Sequence, residues 1–540
     1  MNLKYIKGDL YGGVTAAVVA IPLALAFGVS SGAGAMAGLY GAICVGFFAA
    51  LFGGTATQIS GPTGPMTVVM AGIFTQFSAI DANTGPAIAF SVVILGGVIQ
   101  ILFGVFRIGR YIKLVPIPVI SGFMSGIGVI IILLQIGPLL GHEAQSSPVS
   151  VISNIPEIVL NPWMQPAILG LIGLSIVYLM PSRWNRIIPS PLVALVIGTM
   201  VYLFFFQGYA IPIIGDIPTG LPSIQLPTLS LELLSKMLIA AVTLAFLGSI
   251  DSLLTSLVAD NLTRTQHDSD KELVGQGIGN VFSGLIGGLP GAGATMRTVV
   301  NINAGGKTKL SGLIHSILLL SIVLGASGFA EKIPHAVLAA ILIKVGTDII
   351  DWSYLKKIHI APRPGVFIMI TVLLITVFID LITAVGVGMV IASFIFMHRM
   401  ANLQIESMHV TTEGDDLINL NVEEKELFSQ ADGKVALYQL SGPLSFPAAK
   451  DLVRLKSEVN DYQVLVLDFT NVTSIDYTSC QAIKDIIDAE HEENRQVVIA
   501  GLSEHVHNML SKQNALFNFN DSNLFKDRIL ALVAANKLFN

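Results

Sequence analysis

Charged residues are scarce in this 540-residue sequence: only 12% of the chain is Asp, Glu, Lys or Arg, whereas 53% is hydrophobic. A soluble globular domain carries about twice that charged share, so a chain that is water-soluble throughout is excluded. Cysteine is also rare, and because Cys44 falls in the apolar part of the chain and Cys480 in the more polar C-terminal part, no disulfide framework is expected. These deficits predict that most of the chain is embedded in lipid.

Several catalytic motifs are missing as well. The sequence contains no Walker A loop, no His/Cys metal cluster and no nucleophile elbow. We therefore expect a protein that is not an enzyme and that has neither a cofactor nor a nucleic-acid partner. Any transport must be driven by an ion gradient or by exchange.

The few charges are distributed unevenly. Residues 1–401 contain 15 acidic and 19 basic side chains, whereas residues 402–540 contain 21 and 11. The first part predicts a transmembrane domain and the second a cytoplasmic α/β domain. In the second part, strands are predicted at 434–441, 464–469 and 497–501, and helices at 448–459 and 479–493.

Fourteen apolar segments are predicted in the first part. Twelve are close to the length of about 20 residues that crosses a bilayer, and two shorter ones are interrupted by glycine or proline. The long segments are 10–30, 35–53, 86–106, 116–140, 166–181, 188–206, 236–258, 273–288, 309–328, 333–348, 365–379 and 382–400, and the short ones are 62–78 and 294–304.

Lysine and arginine set the expected orientation, because connections that carry them tend to stay in the cytoplasm. They occur in alternate connections, whereas the long connections near 141–163 and 207–235 contain only acidic charges. We therefore expect a multi-pass protein of the inner (plasma) membrane, with both termini and the C-terminal domain in the cytoplasm.

The two short segments resemble each other: residues 61–69 read GPTGPMTVV and residues 293–300 read GATMRTVV. They are the third and tenth of the fourteen segments, which predicts two halves of seven. Because seven is odd, the second half must be inverted. Interrupted helices at matching positions of inverted halves indicate a binding site near the bilayer midplane.

A helix that begins inside the membrane leaves its first N–H groups unpaired and carries roughly half a positive charge there. Two such starts suit a small anion, which would accept hydrogen bonds from the amides and from Thr63 and Thr295. The alternative is that the glycines, such as Gly61 and Gly64, only allow helices to pack closely.

Asp251 is the most informative single residue, because a carboxylate deep in a span costs a few kcal/mol or more unless it is neutralised. Thr255 lies four residues on, on the same helical face. Together with Gly293 and Thr295 these residues would supply hard oxygen ligands for Na⁺. The alternatives are a protonated Asp251 or an ion pair with Arg297.

Four other side chains indicate a role less specifically than Asp251 does. Arg297 either approaches the anion or braces its helix, and Phe27 either walls the anion pocket or simply packs. Lys344 and Asp380 lie near predicted membrane boundaries and are interpreted as ordinary interfacial residues.

Four segments carry a resemblance to a known family: residues 22–27 (PLALAF), 60–65 (SGPTGP), 288–298 (GLPGAGATMRT) and 303–308 (NAGGKT). With them, the whole chain resembles the SulP family of anion transporters with a C-terminal STAS domain, and within it the BicA-type sodium-dependent bicarbonate transporters. It implies fourteen transmembrane segments in a 7+7 inverted repeat, divided into core and gate domains that move as an elevator. It also implies a homodimer.

By matching position, the resemblance implies two sets of site residues. The substrate-binding set is Phe27, Thr63, Gly64, Ala294, Thr295, Met296 and Arg297, and the Na⁺ set is Asp251, Thr255, Gly293 and Thr295. Many relatives carry a serine at the Met296 position, so this sequence departs from the pattern there.

In the STAS part, residues 475–480 (IDYTSC) resemble the loop of anti-sigma antagonists that carries a phosphorylated serine. Thr478 occupies that place, which makes it a candidate for regulatory phosphorylation. The alternative role of the domain is dimer contact and regulation without phosphorylation.

The predicted function is Na⁺-coupled uptake of bicarbonate. Moving a monovalent anion into a negative interior costs about 2.3 kcal/mol per 100 mV, and one Na⁺ cancels that electrical cost. The alternatives are a proton-coupled dicarboxylate or sulfate permease of the same fold, in which Asp251 titrates, and an anion channel or STAS-linked sensor.

Overall fold

The computed structural model describes residues 5–112, 115–145, 147–185, 188–215, 224–228, 230, 232–325, 331–412, 420–446, 449–456, 459, 461–517 and 519–538. The chain forms two compact units, Met1–Val390 and Ile391–Asn540. In the described residues the first unit is almost entirely helical and the second combines helices with a five-stranded sheet.

Helices lie at all fourteen places where the sequence predicts a membrane segment, although 326–328 of the eleventh segment fall outside the described residues. They are α1 (Ile6–Ser30), α2 (Ala35–Phe52), α3 (Gly64–Ile80), α4 (Gly85–Val105), α5 (Ile117–Leu139), α6 (Met164–Leu179), α7 (Ser190–Val201), α8 (Leu234–Thr263), α9 (Ser269–Leu285), α10 (Thr295–Asn303), α11 (Lys309–Gly325), α12 (His335–Ile349), α13 (Arg363–Phe378) and α14 (Leu381–Glu406). Six described helices are long and apolar enough to cross a membrane alone, or seven spans if one bent pair counts as a single crossing.

Two local features were not predicted. The connection expected outside the membrane contains a helix, Pro148–Leu160, which begins with a capping box between Ser147 and Ser150 and is bent by 108° from α6. Its apolar residues alternate with polar ones, so it has no long hydrophobic run. In addition, α7 continues as a π-helix, Tyr202–Phe206, which leaves no clear signal in an apolar sequence.

The helices of the first unit pack in two groups. The first group contains α1–α4 and α8–α11, and the second contains α5–α7, α12 and α13. Small buried residues allow close approach where lipid provides no hydrophobic driving force, as on α1 at Gly12, Gly13, Ala16 and Ala17. In the first group, two short strands, β1 (Ser60–Gly61) and β2 (Ala292–Gly293), precede α3 and α10.

The second unit is an α/β domain, as predicted. Its strands lie in the order β3 (His409–Thr411), β4 (Val435–Leu444), β5 (Val464–Ile475), β6 (Gln496–Ala500) and β7 (Leu524–Phe525), and only β3 is antiparallel to its neighbour. Its helices are α15 (Val422–Ser429), α16 (Ala449–Lys456), α17 (Tyr477–Glu492), α18 (Glu504–Lys512) and α19 (Arg528–Leu538).

Side chains of alternating direction on the central strands bury both faces of this sheet. On β5, Leu465 and Leu467 pack in one buried cluster, whereas Val464 and Val466 pack in the other. The edge strands β3 and β7 were not predicted, because two or three residues are too few to show the alternation.

Candidate anion and cation site

The two broken helices begin side by side. Strands β1 and β2 pair antiparallel, with Ser60 opposite Gly293 and Gly61 opposite Ala292, and α3 and α10 start directly after them. The residues that precede the two helices, Thr63 and Ala294, have extended backbones, and neither side chain caps its helix. Both positive helix ends are therefore available to a ligand. An antiparallel contact between matching segments also agrees with an inverted repeat.

Two glycines are required by the strand pairing. Gly61 has a φ of 149°, a conformation that side-chain-bearing residues rarely adopt. At Gly293, an added Cβ would lie 2.2 Å from Nε2 of the Gln58 side chain. These glycines therefore serve the junction between the broken helices, and not only the packing of continuous ones.

A cavity of about 250 Å³ lies at this junction. Nine of the ten residues predicted for the anion and the cation line it: Phe27, Thr63, Gly64, Asp251, Gly293, Ala294, Thr295, Met296 and Arg297. The cavity also has a wall that the sequence did not indicate, contributed by Met124, Val345, Asp348 and Ile349 of the second helix group. Only the packing of α5 and α12 brings these residues to the site.

Thr255, the tenth predicted residue, lies directly behind the cavity wall and is fully buried. Its hydroxyl lies 3.0 Å from the carbonyl oxygen of Gly293 and 2.7 Å from the hydroxyl of Thr295. Thr255 therefore contacts two of the other three predicted Na⁺ ligands. The amide of Gly293 donates to the hydroxyl of Ser252 at 3.1 Å. The amide of Ala294, which shares a peptide plane with the Gly293 carbonyl, donates to the carbonyl oxygen of Ile59 at 2.8 Å and so fixes the direction of the Gly293 carbonyl.

Asp251 lies one turn before Thr255 on α8, and only 7% of it is exposed. Its Oδ2 atom and the hydroxyl of Thr63, both buried, have no hydrogen-bond partner in the part of the chain that the structure describes. A buried carboxylate oxygen without a donor is costly unless a cation or a proton joins it. The arrangement is therefore suited to a small cation.

Arg297 is 2% exposed, and its guanidinium donates a hydrogen bond to the carbonyl oxygen of Pro62. It thereby ties α10 to the segment that precedes α3, which is the bracing role considered above, while it also lines the cavity. No salt bridge joins Arg297 to Asp251 among the described residues, so the two groups are not in direct contact, although they are close enough for their charges to attract each other.

A buried polar network behind the site was missed by the sequence reasoning. The carboxylate of Glu272 accepts hydrogen bonds of 2.8 Å from the amides of Gly54 and Thr55 and from the side chains of Gln58 and Gln276. Gln58 in turn accepts from Ser256 and packs against Gly293. The signal was weak, since Glu272 directly precedes the predicted span 273–288 and so resembles an ordinary boundary charge.

The site adjoins a larger cavity of about 630 Å³, to which we refer as the access cavity. Leu23, Met296, Val345 and Asp348 line both. The access cavity extends to Asn185 and Ser190, which adjoin a connection that is predicted to be cytoplasmic. Another cavity, of about 590 Å³, reaches connections predicted to be external and has no lining residue in common with the site among those described.

Thr478 belongs to the second unit and not to this site. It is exposed in the first turn of α17, where the side chain of Asp476 caps the helix through the amide of Ser479 at 2.8 Å. The position is accessible to a modifying enzyme, and its role stays a prediction.

Comparisons with known proteins agree with this architecture. The sulfate permease family matches residues 6–396, and the STAS domain matches residues 429–529. The bicarbonate transporter BicA of Picosynechococcus sp. is 47% identical over 95% of this chain and 91% of its own length. A putative sulfate transporter of Bacillus subtilis is 32% identical over 97% of both chains.

Solved structures are also similar. The transmembrane domain of a cyanobacterial BicA superposes with a TM-score of 0.67 at 53% identity, covering 72% of this chain and 99% of that domain. Murine Solute Carrier 26 family member A9, an anion transporter in an inward-facing state, superposes with a TM-score of 0.83 over 99% of this chain and 92% of its own. At 20% identity it shows the fold alone. The chain therefore belongs to the sulfate permease (SulP) family of membrane transporters, with a C-terminal STAS domain, and the expectation that it is not an enzyme is confirmed.

Proposed function

We propose that this protein is a secondary active transporter that takes up bicarbonate together with Na⁺. The observation that carries the proposal is the convergence of two positive helix starts, Asp251 and the oxygens of Thr63 and Thr295 on one small cavity. The anion accepts hydrogen bonds from the helix-start amides and the two hydroxyls. Na⁺ binds beside it, at Asp251, Thr255, Gly293 and Thr295. The named bicarbonate transporters at 47% identity support this choice of anion.

Charge balance favours a monovalent anion. One carboxylate, one Na⁺ and two half-positive helix starts together carry about one positive charge, which bicarbonate neutralises. A dianion would leave about one further negative charge in a region of low dielectric constant, where it is costly unless a proton or the guanidinium of Arg297, which also lines the cavity, neutralises it. The coupled Na⁺ also cancels the cost of about 2.3 kcal/mol per 100 mV that an anion meets when it enters a negative interior.

Alternating access is assigned to a movement of one helix group against the other. The predicted anion and cation residues all belong to the group of α1–α4 and α8–α11 or to the segments that join its helices, whereas the opposite cavity wall comes from α5 and α12. An elevator in which the first group carries the cargo past the second therefore keeps the site intact during transport.

The surroundings of the transporter are also part of the proposal. We place the protein in the inner (plasma) membrane as a homodimer, with both termini and the STAS domain in the cytoplasm. The distribution of lysine and arginine supports this orientation. Phosphorylation of Thr478 would add negative charge to an exposed helix start, where such charge is stabilising.

The test is uptake of radiolabelled bicarbonate into proteoliposomes under an inward Na⁺ gradient. We expect this uptake to disappear when the external Na⁺ is replaced by K⁺. We expect Asp251→Ala to lose this Na⁺ dependence. Uptake by Asp251→Ala that equals uptake by the unmodified protein would remove Asp251 from the coupling.

The second candidate is a sulfate permease, which the sulfate transporter relative favours. Sulfate uptake that persists without Na⁺ and follows an imposed proton gradient would replace the first proposal with this one. Currents that never saturate with anion concentration would indicate a channel instead.

A further inference from the structure

One ion pair faces the anion pathway from the helix group opposite the site. Lys344 and Asp348 lie one turn apart on α12, and the amino group of Lys344 contacts the carboxylate of Asp348. Asp348 lines both the site cavity and the access cavity, and Lys344 lines the access cavity. The side chains are 26% and 31% exposed, so both meet the aqueous path.

Helix stability does not explain this pair. Asp348 is the second-last residue of α12, where the helix end carries partial negative charge and an acidic side chain is unfavourable. A lysine that precedes an acid by four residues is also the weaker orientation of such pairs, and exposed pairs add little stability in any case. The position of Asp348 on the cavity wall is therefore the more informative fact.

Lys344 is also held in place by Tyr178, an aromatic residue on another helix of the second group. Its amino group lies 5.7 Å from the centre of the Tyr178 ring on α6, a distance at which a cation is attracted to the ring face. The hydroxyl of Tyr178 lies 2.9 Å from that of Thr347 on α12, so the ring is fixed to the same helix. The pair is therefore a fixed feature of the second helix group.

We propose that Lys344 and Asp348 form a charge filter that sets the preference of the site for monovalent over divalent anions. Asp348 repels any anion at the cavity, and Lys344 cancels most of that repulsion. Because Coulomb energy is proportional to the charge of the anion, a change of charge at this pair acts about twice as strongly on sulfate as on bicarbonate. The inference rests on the proposed bicarbonate transport and names two specificity-determining residues for it.

The experiment measures binding of sodium bicarbonate and sodium sulfate to the full-length protein in detergent, by thermal-shift titration at fixed pH, Na⁺ concentration and ionic strength. The variants are Asp348→Asn, Lys344→Met and the double variant. Asp451→Asn serves as the matched control, because it also removes the acid of a helical ion pair, with Arg454 in the second unit. Fixed ionic strength is essential because salt screens these charges.

The filter predicts opposite effects of the two single substitutions. Asp348→Asn should raise the ratio of sulfate affinity to bicarbonate affinity by about tenfold, Lys344→Met should lower it by about as much, and the double variant should return it close to the original value. The control should leave it unchanged. An equal ratio in all variants, or a shift in the same direction for both singles, would overturn the filter.

The two proposals fail differently. If the unmodified protein does not bind bicarbonate, the proposed function is contradicted, and the filter for it falls as well. If the unmodified protein binds bicarbonate but the variants keep its anion preference, only the filter is contradicted.

Discussion

The hydroxyl of Thr255 lies within hydrogen-bonding distance, 3.0 Å, of the carbonyl oxygen of Gly293, and thereby connects α8 to the strand that precedes the second broken helix. Both atoms belong to the proposed Na⁺ site. The hydrogen bond keeps these oxygens close together without the charge of a cation, so the ligands are arranged in advance. Such preorganisation reduces the entropy that is lost on binding.

The first prediction concerns this hydroxyl. Thr255→Val keeps the shape of the side chain but removes one oxygen ligand, and we expect the Na⁺ concentration for half-maximal uptake to rise by about tenfold, equivalent to about 1.4 kcal/mol. The measurement is bicarbonate uptake as a function of external Na⁺. Thr243→Val is the matched control, since this threonine lies on the same helix and, among the described residues, its hydroxyl bonds only to the Ile239 carbonyl, at 2.7 Å. An unchanged Na⁺ dependence in Thr255→Val would exclude this residue as a ligand.

The second prediction compares two glycines. In Gly293→Ala, the new methyl group would lie 2.2 Å from the side-chain amide nitrogen of Gln58, which donates a hydrogen bond to Glu272. Either this side chain must leave its partner or β2 must shift, and we expect uptake to fall. Gly72→Ala, in the interior of α3, meets no atom within 4 Å and should keep uptake while stabilising the protein by about 0.5 to 1 kcal/mol. Uptake and thermal unfolding of both variants test this contrast. Normal uptake by Gly293→Ala would mean that the junction tolerates a wider separation between Gly293 and the Gln58 side chain.

The sequence predicted a large part of the fold, because in lipid the length of an apolar run determines whether it can span. The approach of the two broken helices was predicted for a related reason, since the repeated glycine-rich segments mark the short interrupted spans, whereas the pairing of Ser60 with Gly293 itself was not predicted. Asp251 was likewise predictable, because an isolated acid within an apolar stretch is costly unless it has a function.

Other parts of the site could not be predicted. Asp348 reaches the cavity only because α12 packs beside the broken helices, and the direction of its side chain follows from packing and not from any local pattern. The same holds for the carboxamide of Gln58, whose partners lie up to 214 residues away in the chain. Long-range contacts of this kind leave no periodic signal in a single sequence.

The third prediction concerns the network behind the site. Glu272→Ala removes the acceptor of four hydrogen bonds, two from backbone amides and two from glutamine side chains. Buried donors without an acceptor cost about 1–3 kcal/mol each, so we expect a loss of at least about 3 kcal/mol in the free energy of unfolding. Thermal unfolding in detergent measures it.

Two further variants control this third prediction. Glu272→Gln retains one acceptor oxygen, so its free energy of unfolding should lie between those of the original protein and the alanine variant. Glu157→Ala removes an exposed acid and should change the free energy of unfolding very little. Equal melting temperatures for Glu272→Ala and Glu157→Ala would show that the network does not stabilise the fold.

The fourth prediction concerns the side from which the site is reached. Met296 is 48% exposed and lines both the site cavity and the access cavity. In a background with Cys44→Ala and Cys480→Ala, we expect Met296→Cys to react with a membrane-impermeant cationic thiol reagent from the cytoplasmic side, in inside-out vesicles. Bicarbonate should slow the reaction, because an anion in the site covers the thiol.

His142→Cys provides the opposite control for Met296→Cys, because His142 lines the cavity that reaches the connections predicted to be external. It should react in right-side-out vesicles and show no protection by bicarbonate. Since the two positions belong to cavities that have no lining residue in common among those described, the pair of variants reports orientation and access together. If Met296→Cys reacted only from the outside, the assigned orientation of the membrane domain would be reversed, and the lysines and arginines of its connections would then lie outside, against the usual rule.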